Sequence, residues 1–266
     1  MRAGDTLRAM PVSHTDPRPA LAATISPLVS SRACADTRAA LEWLGKAGYR
    51  SVQLSATDPE TRPRELSQSA RRDLAATLAR HELACSGIDL FIPAGHFGDP
   101  VHVGRAIDAA ESAIEFAALL GRVPVTIPLE PALAGDVRAA LVERAGLHGV
   151  DLLVPAVSVD DLGGIAPPCM ASIDCAAALA AGSDPSAMVF KAQASLGGVR
   201  LVDLSRTGLR APILEPRESR LDALALRVAL ETAGFRRTPV VDARQWTDPR
   251  QGLLASLSRW SEIGRA

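Results

Sequence analysis

Short β-prone apolar runs and longer stretches of helical spacing alternate along almost the whole chain, and that alternation constrains the fold more than any single motif. The runs LAATIS, SVQLS, LACSGIDLFIP, VPVTIPL, GVDLLVPA, MASID, GVRLVDLS and TPVVDAR read as eight strands. Helical sequence follows most of them. TRAALEWLGKAG sets Leu41, Trp43 and Leu44 near one face and stops at Gly48, and VGRAIDAAESAIEFAALLG repeats Ile107, Ala110 and Ile114 at helical spacing and stops at Gly121. Only the short SVDDLGGI follows the fifth strand. A strand followed by a helix, repeated eight times without a linker, predicts an α/β chain forming a single (βα)8 TIM barrel over residues 20–266. The length of 266 residues suits it, since such barrels run to about 250 residues. A doubly wound open sheet is disfavoured: TISPLVSSRACAD after the first strand has no glycine-rich phosphate turn, and no GxxxxGK[ST] occurs.

Residues 1–19 are rich in Pro and polar groups and lack an apolar leader segment, so they are expected to form a flexible arm. The net charge of −1 comes from 29 basic and 30 acidic residues. No global positive field is available for nucleic acid. No apolar run is long enough to span a membrane. The cysteines Cys34, Cys85, Cys169 and Cys175 have no CxxC spacing and sit in or beside apolar segments, as free thiols in a reducing cytoplasm would.

The order of segments resembles the sugar phosphate isomerase/epimerase family, whose xylose-isomerase-like TIM barrel is shared with endonuclease IV-type proteins. The resemblance spans residues 20–263 and rests on ALEWLGKAGYRSVQLS, LARHELACSGIDLFIP, IDCAAALAAGSDP and ALETAGFRRTPVVD. It implies a small sugar or polyol substrate, a protein able to form a homo-oligomer, and one divalent ion (Mn, Mg, Zn or Co) held by acidic residues and a His at the strand ends. Such an ion polarises a carbonyl and the neighbouring hydroxyl while a carboxylate moves a proton between adjacent carbons. A DNA-repair nuclease of the same barrel is disfavoured by the neutral charge and the single His at a strand end.

Carried over by position, the resemblance places Asp174, at the end of MASID, on the family's strand-six aspartate and Asp242, at the end of PVVD, on its strand-eight acid. Val154 and Pro155 stand where a strand-five glutamate is expected, and Arg200 and Asp203 where the strand-seven His is expected. The candidate proton carriers are Asp174, Asp203 and Asp242; the candidate metal ligands are Asp174, Asp242 and Glu130, the last at the end of the fourth strand. Arg62, His96 and Arg200 are the candidate substrate-binding residues, with Arg62 and Arg64 suited to grip a phosphate or carboxylate. Two alternatives stay open. One is a metal-free binding barrel that has lost the ligand set, and the other is a buried pair between Asp242 and an Arg across the rim. Asp184, followed by Pro185, is expected to cap the next helix in place of Asp174.

Overall fold

The computed structural model describes residues 21–129, 135–213 and 217–263. The expected arm over residues 1–19 and the candidate ligand Glu130 lie outside them.

The chain order begins β1 (Ala22–Thr24), α1 (Ser26–Ser30), α2 (Thr37–Ala47), β2 (Ser51–Ser55), α3 (Gln68–Arg80), β3 (Ala84–Asp89), α4 (Val103–Leu119), β4 (Val125–Thr126) and α5 (Gly135–His148). It continues with β5 (Leu152–Ala156), α6 (Val159–Gly164), β6 (Met170–Asp174), α7 (Cys175–Ala180), α8 (Pro185–Ala192) and β7 (Leu196–Arg200). The last elements are β8 (Asp203–Leu204), β9 (Arg210–Ala211), α9 (Ala223–Thr232), β10 (Val240–Val241) and α10 (Pro249–Ile263). Eight strands close a barrel in the order β1, β10, β7, β6, β5, β4, β3, β2. Every pairing in it is parallel. This is the TIM barrel that the alternation predicts.

Capping side chains fix where the helices start. Asp36, Ser67 and Asp222 accept from the amides of Ala39, Ala70 and Ala225, and Ser158 with Asp161 forms a capping box on α6. Gly48 ends α2 at φ 102°, a left-handed conformation that costs glycine nothing.

The observed elements differ from the sequence reading in three places. Strand β7 ends at Arg200; Asp203 belongs to a separate antiparallel hairpin, β8 with β9, that leaves the barrel rim. GVRLVDLS reads as one strand because the connecting Leu201 and Val202 are apolar and fully buried. Two short helices, α1 and α7, occupy segments whose small residues gave no clear period. The fourth strand shrinks to Val125 and Thr126.

The core is apolar between barrel and helices, where Leu41, Leu44, Ile88, Ile114, Phe116 and Leu253 are fully buried. Inside the barrel Gln53, Thr126, Ser172 and Arg200 face a small interior space. Gly197 and Gly198 leave room there: a Cβ on Gly197 would stand 2.3 Å from Leu153 Cδ2 and 2.7 Å from Met170 Cβ. Among the described residues no helix is long and apolar enough to cross a membrane.

Candidate functional site

Strand register builds the site. In the parallel ladder Asp174, the last residue of β6, pairs with Arg200, the last of β7, and Arg200 pairs in turn with Val240 of β10. Asp242 follows β10 by one residue, and Asp89 ends β3 on the opposite wall. Three carboxylates and one guanidinium therefore meet at the C-terminal mouth of the barrel, where barrel enzymes carry out their chemistry.

Arg200 is the hub. Its Nη1 donates to Asp242 Oδ2 at 2.7 Å, its Nη2 lies 3.1 Å from Asp89 Oδ2, and its Nε lies 3.8 Å from Asp174 Oδ2. Two further arginines close over it. Arg210, from β9, reaches both oxygens of Asp174 at 3.1 Å and Asp242 Oδ2 at 3.3 Å. Arg244 donates through Nε to the two oxygens of Asp242 at 3.0 and 2.8 Å, and its Nη2 lies 3.4 Å from Asp89 Oδ2. The Thr24 hydroxyl and the Arg244 amide also donate to Asp242 Oδ1, at 3.2 and 3.1 Å.

The consequence for Asp242 is saturation. A carboxylate offers about four lone-pair sites, and three guanidinium groups, a hydroxyl and a backbone amide converge on this one. Its side chain is 0% exposed and that of Arg200 8% exposed. Burial alone would push the Asp242 carboxyl up, but Arg200, then Arg244 and Arg210, hold it well below the usual carboxylate range. Burial alone would lower Arg200, and Asp89, Asp242 and Asp174 together raise it instead. Both groups stay charged, in a cluster whose three cations and three anions cancel.

Asp174 serves two roles at once. Its Oδ1 accepts from the Ala177 amide at 3.1 Å, which caps α7, while the same carboxylate pairs with Arg210. Asp184 caps α8 through Ser186, so capping is not confined to Asp184 as expected. Asp203 stands apart: its Oδ1 accepts from the amides of Leu204, Arg220 and Leu221 at 2.7, 3.1 and 2.9 Å, and it is fully buried. That geometry anchors the chain after the hairpin. His96 packs against His102 with ring centroids 4.4 Å apart and is not among the residues lining the cleft. Arg62 also turns away from the cleft, donating to the Thr57 carbonyl at 2.7 Å.

Above the cluster opens a cleft of about 510 Å³, with Asp174, Arg210 and Arg244 at its base and Thr24, Ser26, Ser55 and Thr57 along its walls. Gln53 borders it too, but its amide oxygen, which has no hydrogen-bond partner among the described residues, is buried away from solvent. Phe91 stands 70% exposed at the rim, its ring 5.0 Å from the guanidinium carbon of Arg244. Asp58 also faces the cleft and accepts from the Ser26 hydroxyl.

The donor set does not fit a divalent ion. Such an ion needs carboxylate oxygens at about 2.0–2.6 Å, and here the oxygens of Asp242 and Asp174 are engaged by guanidinium groups. An ion would have to enter among three fixed positive charges. Among the described residues no group of three or more His, Cys, Asp or Glu side chains is arranged to hold a metal.

Asp89, Arg210 and Arg244 are the members that sequence reasoning missed. A lone acid inside the apolar run LACSGIDLFIP was the available signal for Asp89, because a buried charge requires a partner. Arg210 lies in an Arg- and Pro-rich segment after the seventh strand, where no period marks it out from its neighbours.

No protein-family model and no curated sequence matches the chain. Solved structures do match. A D-allulose 3-epimerase from Methylomonas sp. superposes with a TM-score of 0.69 at 14% identity, over 92% of this chain and 98% of that one. A xylose isomerase domain protein from Planctomyces limnophilus gives 0.67 at 13% identity, over 92% and 96%. A sugar phosphate isomerase/epimerase from Parabacteroides distasonis gives 0.66 at 12% identity, over 95% and 97%.

Proposed function

We propose that this xylose-isomerase-like barrel binds a small sugar or polyol in the cleft above the arginine–aspartate cluster, with guanidinium groups holding the carboxylates that a divalent ion would otherwise join. The observation that carries the reading is the cleft wall. Hydroxyls from Thr24, Ser26, Ser55 and Thr57 surround it, with the Asp174 carboxylate and the Arg210 and Arg244 guanidinium groups at its base. A ligand rich in hydroxyls pairs with these polar groups, whereas an apolar ligand would leave them unpaired. The exposed ring of Phe91 offers the apolar face of a sugar a surface to stack on. The likeness to sugar epimerases and isomerases supports the choice of ligand class.

A thermal-shift screen of neutral monosaccharides and polyols tests this. A ligand at one hundred times its Kd stabilises the folded state by about 2.7 kcal/mol. At least one stabilising sugar is expected, its effect weakened in Phe91→Ala; no stabilisation by any member overturns the assignment.

One observation favours a catalytic version. Of Asp174, Asp203 and Asp242, only Asp174 lines the cleft, with its side chain 21% exposed and the guanidinium of Arg210 beside it. A carboxylate next to a guanidinium is the arrangement that removes a proton and stabilises the enediolate formed. Solvent-deuterium exchange into a bound sugar, followed by NMR and abolished in Asp174→Asn, is the expected sign. Exchange that persists in the variant refutes the role.

A further inference from the structure

We propose a second binding site, for a phosphate-class oxyanion, outside the barrel wall between the loop after β2 and helix α4. A cavity of about 260 Å³ there is lined by Arg62, Arg64 and Arg105, with Ser112 beside them and Leu90 and Ile92 as an apolar wall. The three arginines come from segments some forty residues apart, so the fold gathers them. Among the described residues no carboxylate lines this cavity.

Arg62 is planted: Nη1 donates to Glu65 at 2.6 Å and Nη2 to the Thr57 carbonyl at 2.7 Å. The side chains of Arg64 and Arg105 have no ion-pair or hydrogen-bond partner among the described residues. Arg105 also sits in the first turn of α4, where the helix dipole disfavours a cation. With Arg62 paired to Glu65, Arg64 and Arg105 are two guanidinium groups without an ion pair among the described residues at this cavity, which suits a phosphate monoester of about −1.5 to −2 at pH 7. Guanidinium forks suit its oxygens, and the Ser112 hydroxyl adds a donor. Thr57 borders both this cavity and the principal cleft, so the two sites share one loop.

The test is a titration of the full chain with inorganic phosphate and, separately, with glycerol 3-phosphate, at constant ionic strength set by chloride. Binding is followed by the ³¹P line width for wild type and by calorimetry for wild type and the Arg64→Ala/Arg105→Ala double variant. Both substitutions lie on exposed side chains. The proposal expects saturable binding of at least the monoester, weakened at least tenfold in the double variant, with any sugar affinity of the principal cleft retained. No saturable ³¹P broadening in wild type overturns it, as does equal affinity in the double variant. Either failure leaves the sugar-binding reading intact, because that reading is measured at the other cavity with neutral ligands.

Discussion

Replacing Arg200 with Met keeps most of the side-chain volume and removes the charge at the hub of the cluster. Asp242, fully buried, loses its 2.7 Å partner, and Asp89 and Asp174 lose their share of the same guanidinium. Breaking a buried ion pair from one side costs about 3–5 kcal/mol, because the remaining charge stays buried without compensation. Arg210 and Arg244 still reach Asp242, which sets the expectation at the lower end, about 3 kcal/mol. For a chain of this size that corresponds to a fall in Tm of about 6 °C.

The pH dependence has a definite sign. The Asp242 carboxyl is held below its unfolded value, so its pairing stabilises the fold above the usual carboxylate range and is lost as pH falls through the lowered value. In the variant the carboxyl protonates at a higher pH than in wild type. The stability gap is therefore widest near pH 7 and narrows in acid. Urea unfolding of both proteins at pH 7 and near pH 4 measures it. A variant as stable as wild type at pH 7, or an equal gap at both pH values, refutes the claim that Arg200 neutralises the carboxylates.

Asp203→Ala strips the acceptor from three backbone amides; each donor left unsatisfied costs about 1–3 kcal/mol, so a loss of at least about 3 kcal/mol is expected in urea unfolding. Sugar affinity of the folded variant should be unchanged, and a selective loss of affinity without a loss of stability would return Asp203 to the site. Gly197→Ala forces a Cβ against Leu153 and Met170 inside the barrel; overpacking of this kind costs about 1–3 kcal/mol, read as a lower midpoint in the same assay, and an unchanged midpoint contradicts the packing described.

The barrel is legible in the sequence because each βα unit writes its own signals: a short apolar run, a change of period to that of a helix, and a cap. The positions of Asp174, Arg200 and Asp242 follow from the same counting, since all three close or follow a strand. Their partnership does not. Which strand end faces which depends on register, and the pairing of Asp174 with Arg200 is set across the ladder rather than along the chain. Asp203 misleads for a related reason: two buried apolar residues join it to Arg200, so a turn out of the barrel looks like more strand. Arg210 and Arg244 sit in polar segments, where an arginine bound to a buried carboxylate has the same sequence context as a solvated one.

Occupation of the barrel-mouth carboxylates by guanidinium groups closes them to a divalent ion. This is tested most directly by titrating Mn²⁺ into metal-stripped wild type and Asp174→Ala, with binding followed by electron paramagnetic resonance and stability by thermal shift. No saturable site is expected at the barrel mouth, and both proteins should show the same Mn²⁺ response. One equivalent of Mn²⁺ that binds and stabilises wild type but not Asp174→Ala would contradict it.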